Sequence, residues 1–394
     1  MKGRSAALLI ATLGSVQTLW TLTMDLYLPA FVQIQRDLDT SAALVQVTLT
    51  VAFVGMALGQ LVTGPVSDAV GRRRPLLAVL LLSVVGSGAS ALAPTVEVLI
   101  AARFVQGMAA AACGVIVLAV VRDHFEGAEM VRALARLAAI NGVAIVLAPS
   151  LGAVLLYVMD WRGQFWCLAA YGLVLVVVVG LALAESRVWV ARERGRLAAD
   201  YRTLARDGGF RAAVVTGGLV WVGMFSYLAA SAFLFQEVYG LDPGQYAIVF
   251  ASHGALMIVG SQLSARWSRR IDPARIATLA TIGTAASAVL LLASVALLPQ
   301  WGFWSLLVPL WFFTLALGVF NPANQALALA PHGERSGTAA SLLGAVNMGF
   351  GALVSPVAGL LGVGTAVPTA VVMVVAQLAA LAAGALLRGR GGAR

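Results

Sequence analysis

The chain has 394 residues, of which 60% are hydrophobic and only 11% are charged. Soluble domains carry roughly 25% charge and about 45–50% apolar residues. The excess runs along the whole length, so no packed aqueous core absorbs it and lipid must face most of the surface. The net charge of +9 raises nucleic acid as a partner, but the placement of the charges gives it another cause.

A spanning helix takes about 20 largely apolar residues. The pattern predicts twelve of them, at 6–28, 42–64, 75–95, 97–121, 131–158, 163–184, 211–236, 245–265, 275–298, 302–329, 336–361 and 364–387. Membrane β-strands would alternate in polarity over about ten residues, and the run from Leu173 to Val179 does not alternate. Met1-Lys2-Gly3-Arg4 leads straight into the first span with no small-residue cleavage site, so it reads as an uncleaved helix rather than a signal peptide. Of the 26 lysines and arginines, all but Arg36, Arg162 and Arg103 fall at the termini or in even-numbered connections. By the positive-inside rule, those connections and both termini are cytoplasmic. The expectation is a multi-pass protein of the bacterial inner membrane whose basic charge is a topology signal, with no nucleic acid among its partners.

The longest connection, about 185–210, carries charges of both signs, including Glu185, Glu193, Asp200 and Asp207. It divides the chain into an N-terminal six-helix bundle (1–185), a cytoplasmic linker lying on the surface (186–210) and a C-terminal six-helix bundle (211–394). Cys113 and Cys167 lie in apolar stretches without His or Cys neighbours. They read as ordinary buried thiols, with neither a disulfide nor a metal site.

The halves echo each other. Pro149-Ser150-Leu151-Gly152 in the fifth span matches Pro356-Val357-Ala358-Gly359 in the eleventh, and each follows an asparagine, Asn141 or Asn347, by about two turns. Gly59-Gln60-Leu61 through Asp68 to Gly71-Arg72-Arg73-Arg74-Pro75 is echoed by Ser261-Gln262-Leu263 through Arg266 to Arg269-Arg270-Ile271-Asp272-Pro273. Two features at one offset point to duplicated halves, an architecture of secondary transporters with a site near the midplane.

Almost every acid lies in a loop or at a helix end; Asp25, in the outer half of the first span, is the exception. An ionisable group in lipid costs about 2.5–3.5 kcal/mol on insertion scales, so it usually faces an interior cavity and acts there. The alternative is a helix-end aspartate snorkelling to the interface, with Pro29 close by. Arg103 is the single intramembrane base, roughly 10 Å inside the fourth span at 1.5 Å per residue. Burial and a neighbouring cation act on a carboxyl in opposite senses, so Asp25 and Arg103 together suit proton loading and release; a static buried ion pair is the other reading. Asp68, Arg72, Arg73, Arg122 and Asp123 cluster at cytoplasmic helix ends, with Gly59, Gly64 and Gly71 allowing close helix approach. The cluster reads as a latch between helices, or as topology charge alone. Gln17, Trp20, Thr21, Gln46, Thr50, Phe53, Asn141, Trp221, Met224, Phe225, Tyr227, Asn321, Asn324 and Asn347 are candidates for a pocket taking apolar, variable ligands, although each alone is more often packing. His253 in the eighth span reads as a hydrogen-bonded interior side chain, with a proton shuttle as the alternative. No GxxxxGK[ST] loop is present, so an ion gradient or the substrate itself must supply the energy, and no cofactor is expected.

These residues resemble the major facilitator superfamily and, within it, the drug:proton antiporters of the bicyclomycin/chloramphenicol-resistance type. Met24-Asp25-Leu26-Tyr27-Leu28-Pro29-Ala30-Phe31 resembles that group's first-helix signature. Gly59 through Asp68 to Gly71-Arg72-Arg73 is similar to the superfamily's loop motif, and Arg103-Phe104-Val105-Gln106-Gly107 to its fourth-helix motif. Val121-Arg122-Asp123 resembles the end of that helix, where the acid joins the loop motif's charge relay. Gly142 through Ala148-Pro149-Ser150-Leu151-Gly152-Ala153 resembles the fifth-helix antiporter motif, with Ala148 and Ala153 at two glycine positions. Gln17 stands where some relatives carry a second carboxylate. The resemblance implies an all-α membrane fold of two pseudo-symmetric six-helix bundles, not an enzyme, with protons, lipid and small drugs such as phenicols as partners. It implies proton-driven efflux, with Asp25 and Arg103 coupling the proton; a monomer is expected, although nothing in the residues fixes the oligomeric state. Proton-coupled import of a metabolite and a non-transporting membrane sensor are the alternatives from the residues alone.

Overall fold

The structure is a computed structural model describing residues 3–125, 127–183, 185, 196–362 and 364–391. Within these, the side chains of 3–6, 64, 65, 68, 69, 127, 128, 131, 196–198, 333–337, 354–360 and 386–391 lie outside the description. The fold is all-α. In chain order the helices are α1 (Gly3–Asp25), α2 (Phe31–Asp37), α3 (Ala42–Val70), α4 (Arg73–Ala91), α5 (Val96–His124), α6 (Gly127–Leu156) and α7 (Trp161–Ala182). Then come α8 (Arg196–Arg206), α9 (Gly208–Phe233), α10 (Pro243–Trp267), α11 (Pro273–Leu297), α12 (Trp304–Leu329), α13 (Ser336–Leu360) and α14 (Val367–Gly391). Among the described residues, eleven helical segments are long and apolar enough to cross a membrane, and α13 contributes a shorter apolar segment, Thr338–Leu353. Large apolar side chains point outward, with Leu181 86% and Leu353 76% exposed. Water would make that unfavourable; a hydrocarbon surround does not.

Contacts divide the chain into two units, one of residues 1–41 and 47–193, the other of 42–46 and 194–394. In the first, α1 packs on α5 and α6, and α4 on α5 and α7. Leu13, Val16, Leu80, Val117, Leu137 and Val179 form its core. In the second, α9 packs on α13 and α14, and α12 on α10 and α11. Within the expected linker lies α8, whose buried Leu204 packs with Phe210, Ala213 and Leu343. Its polar face and apolar seam are those of an amphipathic helix.

Local chemistry sets the helix ends. Asp160 accepts from Gly163 N at 3.0 Å and Asp207 from Phe210 N, each capping the helix that follows. Asp242 and Gln245 form a reciprocal capping box with Pro243 in the first turn. The first span differs from the expected 6–28. Pro29 has no N–H for the carbonyl of Asp25, four residues earlier, so α1 ends at Asp25. The chain turns through a 3-10 segment, Leu28–Ala30, and continues as α2 to Asp37. The apolar span therefore runs Ala7–Asp37. Asp25 sits at an internal break followed by buried Tyr27, Leu28, Phe31 and Ile34.

Candidate functional site

The break in the first span organises the site. Thr23 O and its neighbours are carbonyls that a continuous helix would satisfy. Arg103, fully buried on α5, donates from Nη1 to Thr23 O at 2.9 Å. The same nitrogen donates to Gln106 Oε1, and Gln106 Nε2 donates to Ser87 Oγ at 2.7 Å. The guanidinium lies 4.1 Å from the centroid of the Tyr27 ring and 5.8 Å from that of Phe165. Tyr27 O–H pairs with Thr48 Oγ1 at 3.3 Å. The arginine is thus held by a carbonyl, an amide and two ring faces, the environment that suits a planar, weakly hydrated cation. Among the described residues, no ion pair joins it to Asp25.

Asp25 is half-buried, and no hydrogen bond or ion pair is recorded for its carboxylate among the described residues. Gly152 on α6 faces Leu26 O so closely that a side chain there would collide with the carbonyl. Gln164 Nε2 donates to Gly152 O at 2.8 Å. Pro149 and Ala148 are buried in the same helix, whereas a Cβ on Gly142 would meet open space. The small-residue packing of α6 is therefore concentrated at Gly152, beside the break.

Gln17, Thr21 and Asp25 recur every four residues, so they share a stripe of α1. Thr21 donates to Asn141 Oδ1 at 2.9 Å, while the buried Gln17 Oε1 has no partner among the described residues. Trp20 is half-buried; Thr50 and Phe53 are buried on α3, and Gln46 is buried near its start. In the second unit Trp221 donates to Asn321 Oδ1 at 3.1 Å and stacks on Phe225 at 5.4 Å. Met224 is half-buried beside them in sequence. Asn324 Nδ2 donates to Ala213 O at 3.1 Å, and Asn347, half-buried on α13, approaches the same turn of α9 at Gly217. Tyr227 is buried against His253.

At the other end of α3, Gly71 adopts φ +93°, the left-handed conformation glycine favours. Arg72 is buried; its Nε pairs with Asp123 Oδ2 at 3.0 Å and its Nη1 donates to Ser67 Oγ at 2.8 Å. Arg73 Nη2 donates to Gly180 O at 2.6 Å. Arg122 is exposed, and no ion pair is recorded for it among the described residues. Gly59 packs against Met108 O on α5. The side chains of Gly64 and Asp68 lie outside the described residues. Sequence reasoning missed Glu185, whose carboxylate accepts from Arg72 N at 2.7 Å and Arg73 N at 3.2 Å. It caps the N-terminus of α4, where two free N–H groups attract an anion.

Eleven long apolar helical segments among the described residues, with large apolar side chains turned outward, mark a multi-pass membrane protein. The model of the Major Facilitator Superfamily matches residues 13–356, and the chain belongs to that family, one of transporters and not of enzymes. A transporter of Bacillus subtilis called uncharacterized MFS-type transporter YdgK is 34% identical over 95% of this chain and 93% of its own. The bicyclomycin resistance protein homolog of Haemophilus influenzae is 28% identical over 93% and 92%. Multidrug resistance protein D of Escherichia coli is 28% identical over 85% and 84%. The fold is shared with a crystal structure of a bacterial homolog of the human lysosomal transporter Spinster. Its TM-score is 0.75 at 14% identity, covering 98% of this chain and 96% of that one.

Proposed function

We propose that the protein exports small, largely apolar molecules across the bacterial inner membrane in exchange for protons, with both termini in the cytoplasm. The observation that carries this is Asp25: an accessible carboxylate at a break in a buried helix, with no recorded cation partner. Such a group is free to trade a proton for a substrate as its access changes sides. Gln17, Thr21 and Asn141 add neutral hydrogen-bonding groups along the same stripe. With Gln17 where a second acid would stand, one proton moves per cycle and neutral or singly charged substrates are favoured. Phenicol-type antibiotics fit that class, and drug-resistance proteins among the relatives support it. Arg103 positions the end of α1 through Thr23 O rather than neutralising Asp25. An inward proton contributes about 2.3 kcal/mol per 100 mV of membrane potential, besides the pH difference. The cluster at Arg72, Arg73, Asp123 and Glu185 holds α3, α4, α5 and the segment after α7 together as a conformational latch, and the protein acts as a monomer of two six-helix bundles.

The test is proton release from purified, weakly buffered protein on addition of chloramphenicol, a quinolone or a lipophilic cation. The wild type is expected to release a proton on binding, and Asp25→Asn to bind without releasing one. Binding to the wild type with no proton release would contradict antiport.

A further inference from the structure

The two units share one helix crossing in the same register. In the first, Gly55 faces Phe104 O and Gly107 faces Ala52 O, so α3 and α5 touch backbone to backbone. In the second, Gly260 faces Leu315 O and Gly318 faces Met257 O, so α10 and α12 touch the same way. Residues at equal distances from these glycines correspond. Thr48 precedes Gly55 by seven positions, as His253 precedes Gly260; Arg103 precedes Gly107 by four, as Thr314 precedes Gly318. A tyrosine packs on each crossing, Tyr27 from the turn after α1 against Thr48 and Arg103, and Tyr227 from α9 against His253.

The first crossing is filled: Tyr27 pairs with Thr48, and Arg103 reaches Thr23 O. The second is not. His253 is 2% exposed and Tyr227 1%. Thr314 donates its single hydroxyl proton to Leu310 O at 3.0 Å or Trp311 O at 3.1 Å. With that proton on the helix carbonyls, Thr314 accepts from His253 Nδ1, 3.4 Å away. In that arrangement Nδ1 carries the ring proton and Nε2 is a bare acceptor in the neutral imidazole. Nε2 has no partner among the described residues, and neither does the Tyr227 hydroxyl. Each buried polar group left unpaired costs about 1–3 kcal/mol. One acceptor and one donor stand on rings whose centroids are 5.1 Å apart.

We propose that His253 and Tyr227 form a binding point for a neutral hydroxyl group carried by the substrate. The hydroxyl donates to Nε2 and accepts from Tyr227, which satisfies both groups at once. A charged group is disfavoured there, because no ion pair is recorded for His253 among the described residues. The proposal rests on the export reading only in making the hydroxyl the substrate's; a resident water offers the same chemistry.

The test labels histidine with 15N in detergent-solubilised protein and assigns His253 by the loss of its signal in His253→Asn. Benzyl alcohol and toluene are then titrated at matched micellar concentrations. Benzyl alcohol is expected to move the Nε2 resonance at about tenfold lower concentration than toluene, the worth of one hydrogen bond. Tyr227→Phe, which keeps the ring, is expected to bring the two titrations together. Equal responses in the wild type, or an Nε2 signal that neither probe moves, would overturn the proposal and leave a resident water or a closed site. Failure of the Asp25 proton test would leave this preference intact, so the two readings fail separately.

Discussion

The crossing of α3 with α5 and that of α10 with α12 have the same packing and opposite chemistry. Both rest on glycines that let a backbone carbonyl take the place of a side chain. Around the first lie Arg103, Gln106, Ser87 and the nearby Asp25; around the second lie His253, Thr314 and the Trp311–Ser252 hydrogen bond of 2.7 Å. Close helix contact needs small residues at fixed positions, so duplication preserves it. The polar groups beside it are free to differ. A charged side chain thus lies beside the first crossing, and a histidine and a threonine beside the second.

The comparison breaks most readily at its charged member. Arg103→Met leaves Thr23 O and Gln106 without their donor, and is expected to lower stability by about 3 kcal/mol, in the range seen when one member of a buried charged network is removed. Thr314→Val, at the corresponding place, is expected to cost about 1 kcal/mol. Thermal unfolding in detergent compares the two, and equal losses would mean that the charge is structurally idle. Next come the glycines. Gly107→Ala and Gly318→Ala each push a methyl into a facing carbonyl, and each is expected to cost about 1–3 kcal/mol. Similar shifts in melting temperature would sharpen the equivalence of the crossings; a shift in only one would dissolve it. The smallest effect is expected at Glu185→Gln, about 1 kcal/mol, because a neutral amide still accepts from the end of α4 but loses the charge attraction to it. Added salt should shrink the difference from wild type, since exposed charges are screened.

Hydropathy made the spans legible because each must match the thickness of the lipid. Asp25 stood out because no other acid lies so deep in an apolar run. Arg103 was visible as a buried cation, but not its partner: Thr23 contributes a main-chain carbonyl, which every residue has, so no side-chain pattern announces it. Glu185 looked like one of several linker charges, since its partners at Arg72 and Arg73 are more than a hundred residues away. The extension of the first span to Asp37 was missed because Pro29 was taken for its outer limit rather than an internal bend. Gly59 meets the backbone of Met108, a facing residue that could not be named before the helices were paired. His253 was legible as an interior hydrogen-bonded residue; its unpaired Nε2 depends on where Thr314 sends its proton.

The central claim is that Asp25 links substrate movement to the proton gradient. Proteoliposomes loaded with chloramphenicol on both sides test it directly, for wild type and Asp25→Asn, with and without an imposed pH difference. The account predicts that the wild type drives net chloramphenicol movement against the proton flow, and that Asp25→Asn loses this while still exchanging labelled for unlabelled chloramphenicol at equilibrium. Gradient-driven movement that survives in Asp25→Asn would contradict it.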